Sequence, residues 1–200
     1  MSLEVLIAFN VVLIASLLSP GPAFLMAVST SLAKGRSAGI KTGVGLGTMA
    51  CLWTLMGLLG LEVIFKIFPW AYLAIKTIGA LYLLYIAWST WINAKAPITD
   101  SEKQINKYFR DGFLVNLSNP KSILFAASVL VVIFPPNLSI EAKAFITLNH
   151  LALEVLFYTF VALTMSTKTI SKQYLKAKTW FDRFAAIVLG GLGLKLLFEK

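Results

Sequence analysis

Three groups of residues in this 200-residue chain could do chemistry in a setting short of water. The first is Pro20-Gly21-Pro22, in the middle of the apolar run ASLLSPGPAFLMAV. The second is Asn119-Pro120-Lys121, inside GFLVNLSNPKSILF. The third is His150 and Glu154 in LNHLALEVLFYTF, one turn apart and so on one face of a helix. A proline in a helix interior removes a backbone donor and costs ~3 kcal/mol. The carbonyls it frees have no water to turn to in lipid, unless they face a polar cavity, where they become ligand groups. Helices that begin at such breaks also present N-termini that favour an anionic group such as a carboxylate. A charge on Glu154 at the centre of an apolar segment costs ~2.5 to over 10 kcal/mol. Either the residue is kept neutral or paired as structural glue, or it binds and releases a proton.

The elements that must carry these residues are membrane helices. The chain is 58% hydrophobic and only 14% charged, against roughly 25% charged in an ordinary soluble domain; its mean hydropathy is +0.80. A span needs ~20 apolar residues, and six such segments are read at about 4–32 (interrupted), 39–61, 68–93, 112–134, 143–165 and 180–198. The first ten residues carry Glu4 and no Lys or Arg, so a cleaved signal peptide is not expected.

The net charge of +9 is not spread evenly. Lys34, Arg36 and Lys41 follow the first segment, and Lys95, Lys103, Lys107 and Arg110 the third. Lys168, Lys172, Lys176, Lys178 and Arg183 follow the fifth. Only Lys66, Lys143 and Lys200 fall on the other side. The positive-inside rule makes the loops at 33–41, 94–110 and 167–182 cytoplasmic and puts both termini outside. Charge that alternates with spans argues against a nucleic-acid surface. The segment NAKAPITDSEKQINK, Asn93 to Lys107, reads as a cytoplasmic linker.

The linker joins two copies of one unit. Sliding the sequence by 100 residues superposes Pro20 on Pro120, with AFLMAVS or SILFAAS after each break, and GALYL at 79–83 resembles GGLGL at 190–194. The reading is one transmembrane domain over residues 1–200, with repeat one at about 1–93, linker at about 94–110 and repeat two at about 111–200. Three spans per repeat force the second copy to insert upside down. Inverted repeats with interrupted helices in corresponding positions are the transporter arrangement, with the binding site between the breaks. The expected fold is therefore an all-α integral membrane protein: six transmembrane helices in two inverted three-helix repeats, the first and fourth interrupted.

SPGPAFL after a short first helix, the glycine-rich GIKTGVGLGT, GALYLLY in the third span and GFLVNLSNPKSILF in the fourth together resemble the LysE/RhtB family of amino-acid exporters. The resemblance covers essentially the whole chain. It implies export of amino acids across the bacterial cytoplasmic (inner) membrane, driven by the proton gradient, with Pro20, Gly21, Pro22, Asn116, Asn119, Pro120 and Lys121 on the signature positions. The chain departs from the pattern at FPPN, Phe134–Asn137, where relatives often show Leu-Pro-Gln-Phe, and at Ala87, where glycine is frequent. Both lie away from the breaks.

Within this frame Glu154, with His150, is the candidate for proton coupling. Lys121 reads as attracting a substrate carboxylate or as pairing with Glu154, and the sequence leaves both open. A cationic substrate side chain would want a dedicated carboxylate besides Glu154, so a neutral or homoserine-like amino acid is expected rather than lysine or arginine. Gly39, Gly43 and Gly47 form a small-residue face suited to close helix packing. Lys76 and Lys195 can snorkel to an interface. Trp53, Trp70, Trp88, Trp91 and Trp180 read as an interfacial belt. Cys51 excludes an intramolecular disulfide. The partners expected are an amino-acid substrate and the lipid bilayer, with a homodimer allowed; no metal and no cofactor is expected. A metal-ion or small-solute permease is the alternative, but it would be expected to have more ligands than His150, Glu154 and Cys51. An intramembrane enzyme is third, since one His, no G-x-S-x-G and no acidic pair leave little to run a reaction.

Overall fold

The computed structural model describes residues 2–19, 21–68, 70–95, 107–135 and 137–198, and every regular element among them is helical. In chain order these are α1 (Leu3–Leu18), α2 (Pro22–Lys34), α3 (Arg36–Ile67), α4 (Trp70–Ile92), a 3-10 turn at Asn93–Lys95, α5 (Tyr108–Leu117), α6 (Pro120–Ile133), α7 (Ile140–Met165) and α8 (Lys168–Phe198). The interrupted segments of the sequence reading are the pairs α1–α2 and α5–α6. Pro20 itself lies outside the described residues.

Local chemistry sets the ends of these helices. α1 stops at Ser19, which precedes a proline and is extended (φ −77°, ψ 116°), as the clash with a following proline ring demands. α2 and α6 each start on a proline, Pro22 and Pro120, where the missing N–H is no loss and the fixed φ suits the first turn. Asn119 caps α6 by accepting from the Lys121 N–H at 3.1 Å. By the prolines that open α2 and α6 the two breaks are offset by 98 residues, not the 100 that superposes Pro20 on Pro120. Gly35, at φ 85°, ends α2 and sends its N–H back to Ser31 O, so α3 follows after a single residue. The loop expected at 33–41 is therefore mostly helix, as is 168–182, which forms the first half of α8. Of the expected linker 94–110, residues 96–106 lie outside the described residues.

By length and composition, Arg36–Gly60 of α3 and all of α7 can each cross a bilayer. The pair α1 and α2, bent by 59°, passes the same test taken as one span. The largest interfaces are α3 with α7, α4 with α8 and α3 with α5.

The contact between α3 and α7 is antiparallel and runs along the glycine face. A Cβ at Gly39 would meet Ser31 and Ala162, one at Gly43 would overlap Tyr158, and one at Gly47 would stand 2.9 Å from Glu154 Cβ. Numbers rising on α3 meet numbers falling on α7, so the stripe is a packing surface and it seats Glu154. A second close approach, which the periodicity does not announce, joins α3 to α5. A Cβ at Gly45 would strike the Phe109 carbonyl, and one at Gly112 the Thr42 carbonyl. We expect Gly43→Val to destabilise the protein by about 1–3 kcal/mol through overpacking, whereas Gly60→Ala, with nothing within 4 Å, shifts stability by less than about 0.5 kcal/mol. Denaturant unfolding of the detergent-solubilised variants checks both; equal midpoints for Gly43→Val and wild type would remove the packing role.

Candidate functional site at the helix breaks

Each helix-breaking proline leaves a particular carbonyl without its partner, the one four residues earlier. For Pro20 that is Ser16 O, and for Pro120 it is Asn116 O. The structure supplies a donor to both. Lys121 Nζ donates to Ser16 O at 2.6 Å and to Ser19 O at 2.8 Å. The lysine of the second break thus caps the C-terminal end of α1 at the first, where an ammonium is favoured by the helix dipole. Asn116 O accepts from the Asn119 N–H at 3.3 Å and from the Trp53 indole N–H at 3.4 Å. Trp53 therefore departs from the expected interfacial belt: it is half-buried and donates inward to the break.

The Asn116 side chain ties the second break to α3. Its amide donates to Leu46 O at 2.6 Å, and its oxygen accepts from Asn119 Nδ2 at 3.2 Å and from the Ser122 hydroxyl. Both asparagines are buried. A fully satisfied network of this kind holds a non-helical joint rigid in a low-dielectric setting.

Beside the joint is a cavity of about 40 Å³ whose lining includes Ser16, Ser19, Gly21, Asn119, Lys121, Ser122, His150 and Glu154. Of the residues singled out from sequence, Gly21, Asn119, Lys121, His150 and Glu154 meet there. Pro22 and Pro120 open the helices that point at it, Asn116 stands behind Asn119, and Gly47 backs Glu154. Gly39 and Gly43 lie further along the α3–α7 seam and do not reach it. The volume is room for about three waters.

On α7, His150 and Glu154 form a buried chain with Thr54 of α3. Thr54 Oγ1 and His150 Nδ1 share a hydrogen bond of 2.7 Å, and His150 Nε2 lies 3.4 Å from Glu154 Oε1. With Glu154 ionised, Nε2–H donates to it and Nδ1 accepts from the threonine hydroxyl. With Glu154 protonated, the carboxyl donates to Nε2 and the ring changes tautomer, so Nδ1–H donates to Thr54. Phe9 and Phe125 flank the imidazole, with ring centroids at 5.8 and 6.0 Å. Glu154 Oε2 is buried with no hydrogen-bond partner among the described residues.

Sequence reasoning places Glu154 as the single deep acid, and the structure adds Asp182. Asp182 is buried and pairs with Lys178 at 2.7 Å, on a helix that packs against α1. Lys121 Nζ touches carbonyls and pairs directly with no carboxylate among the described residues, so its two sequence readings both stay open. Lys178 also donates to Asn93 O and Ala94 O at 3.2 Å, fastening α8 to the end of α4. Surrounded in sequence by lysines, Asp182 reads as a loop residue; only the i, i+4 spacing from Lys178 hints at a buried helical pair. Asn149 on α7, which donates to Asn10 of α1 at 2.7 Å, carries no such hint.

Residues 14–200 match the LysE type translocator family. The chain belongs to that family. The translocator is similar to the "Threonine efflux protein" of Salmonella typhi, 29% identical with 94% of each chain covered. The protein of the same name from Escherichia coli (strain K12) is 26% identical, again over 94% of each. An "Uncharacterized membrane protein", PA4757, of Pseudomonas aeruginosa is 30% identical over 88% of this chain and 84% of its own. No solved structure matches the translocator. The family membership and the helices long enough to cross a bilayer make it a membrane transport protein.

Proposed function

We propose that the translocator is a secondary active exporter of small neutral amino acids, moving them out of the bacterial cytoplasm across the inner membrane in exchange for protons. The observation that carries this reading is the cavity between the breaks, which is lined by an ammonium, Lys121, and by a carboxyl group, Glu154, whose Oε2 has no partner among the described residues. A zwitterionic amino acid has the complementary pair of charges. Its carboxylate suits Lys121 and the N-termini of α2 and α6, and its ammonium suits Ser16 O, Ser19 O and Glu154. Two relatives of matching length are named for threonine efflux, which fits the expectation of a neutral, homoserine-like substrate.

Threonine has eight non-hydrogen atoms, more than room for about three waters can take. This arrangement is then a closed one, and binding requires the breaks to part. Two inverted repeats supply a way to do so, by rocking one against the other about a fixed site. Like packs on like at the centre, α3 on α7 and α4 on α8, and each interrupted segment crosses to the other half, α1 onto α8 and α6 onto α4. These pairings support the inverted six-span reading, in which the basic ends of α2 and α8 face the cytoplasm.

Counterflow in proteoliposomes tests the substrate class. Threonine, homoserine and serine are expected to exchange, with at least about tenfold weaker uptake of lysine and arginine, because the second buried carboxylate, Asp182, is already paired with Lys178 and does not line the cavity; tenfold corresponds to ~1.4 kcal/mol. A strong preference for lysine or arginine would overturn the neutral substrate, and divalent-cation flux without amino-acid exchange would favour the permease reading.

A further inference from the structure

On α8, next to Asp182 but turned away from it, stands Arg183. Its guanidinium carbon lies 5.2 Å from the centre of the Trp91 ring of α4, a cation–π contact. Among the described residues its Nε, which is buried, has no hydrogen-bond partner, and no carboxylate pairs with it. Arg183 as a whole is only half-buried, and a cation of this kind with no carboxylate paired with it there attracts an anion from outside the chain.

From this point a groove runs along the outer surface between α4 and α8, about 490 Å³ in volume and lined by Leu84, Ala87, Trp88, Trp91, Ala186 and Ile187. Trp88 and Ile187 are largely exposed, and none of the described residues covers it. Lys178 grips the carbonyls that follow α4, which marks this end of the groove as the basic, interfacial one. Arg183 lies five residues further along α8, ~7.5 Å at 1.5 Å per residue. Leu84 and Ile187 continue towards the apolar depth. A positive head at the interface leads into an apolar slot pointing inward.

We propose that this groove is a binding site for an anionic phospholipid, with its phosphate on Arg183 and one acyl chain along the α4–α8 slot. The planar guanidinium donates in a fork that matches phosphate oxygens, and basic pockets between membrane helices on the cytoplasmic side hold anionic headgroups in this way. Trp91, which lines the groove, holds the guanidinium beside it. The site is separate from the cavity at the breaks.

Native mass spectrometry of the detergent-solubilised full chain with matched phosphatidylglycerol and phosphatidylcholine tests this. Wild type is expected to retain phosphatidylglycerol about fivefold better, the ratio that one basic group near a headgroup gives. Arg183→Gln should bring the ratio to near unity. Ile187→Trp, at an exposed position, should fill the slot and lower retention of both lipids while leaving the charge in place, which keeps the test available should the arginine variant fold poorly. Equal retention of the two lipids by wild type would overturn the proposal, as would an unchanged preference in Arg183→Gln. Stabilisation against heat by inorganic phosphate equal to that by phosphatidylglycerol would do the same, showing a free-anion site. A dimer that excludes both lipids from the slot would replace the lipid with a second copy of the chain.

Discussion

Glu154→Gln should leave amino-acid exchange across the membrane within about threefold of wild type and abolish accumulation driven by a pH gradient. The two effects separate because the amide keeps the shape of the carboxyl group and cannot titrate. Glu154 is buried, Gly47 allows α3 to close against it, and its Oε2 has no partner to lose among the described residues. The substitution therefore removes a cost of ~2.5 kcal/mol or more for an ion at depth and leaves the packing as it is. Exchange needs the site to open to each side in turn with substrate aboard, but no net proton transfer. Uphill movement needs a group that carries a proton one way and returns empty. The measurement is labelled threonine in proteoliposomes, first as counterflow without a gradient, then as uptake under an imposed pH difference. The accumulation ratio of the variant should fall to ~1. A variant that still concentrates substrate like wild type would make Glu154 structural and move the search for coupling to His150, to Asp182, or to a uniport with no proton.

The breaks are legible in sequence because the missing N–H of proline belongs to the residue and needs no context. The same is true of the cost of a carboxyl group in an apolar helix, which draws attention to Glu154, and of the spacing that puts His150 beside it. Glycines four residues apart announce a close-packed face, and the α3–α7 seam is that face. What the sequence withholds is the identity of the groups that answer these features. Ser16 O is answered by a lysine 105 positions away and Asn116 O by an indole 63 positions away, pairings set only by how the helices cross. Asp182 shows the limit most clearly. Charge counting assigns it to a cytoplasmic loop, whereas α8 begins at Lys168 and carries it one turn past the end of α4, where it is buried. A residue's depth depends on where its helix starts, and flanking lysines that snorkel blur that start.

Lys121→Met should reduce transport at least about a hundredfold and also destabilise the protein by ~2–5 kcal/mol. The stability loss follows from the geometry alone. Methionine keeps much of the side chain's bulk but donates nothing, so Ser16 O and Ser19 O lose their partner, and each unsatisfied buried carbonyl costs ~1–3 kcal/mol. The transport loss has two sources that need to be told apart: a disordered first break, and the loss of the cation that would meet a substrate carboxylate. Chemistry on the substrate separates them. Threonine amide keeps the ammonium and side chain but has no carboxylate. If Lys121 recognises the carboxylate, wild type should bind threonine more tightly than the amide by about tenfold or more, the scale of one charge-assisted contact. In Lys121→Met, handled at low temperature or in stabilising lipid, that ratio should collapse towards one while both affinities fall. A variant that loses stability yet keeps the wild-type preference for the free carboxylate would confine Lys121 to capping α1. The helix N-termini of α2 and α6, with Asn119 between them, would then be the anion site. Capping and recognition are compatible in one residue, because a carboxylate arriving at Nζ displaces the carbonyls of Ser16 and Ser19 and leaves them free to take the substrate's ammonium. Substrate would then replace the contact that holds α1 against α6 in the closed arrangement, and the two breaks could part only with a zwitterion between them.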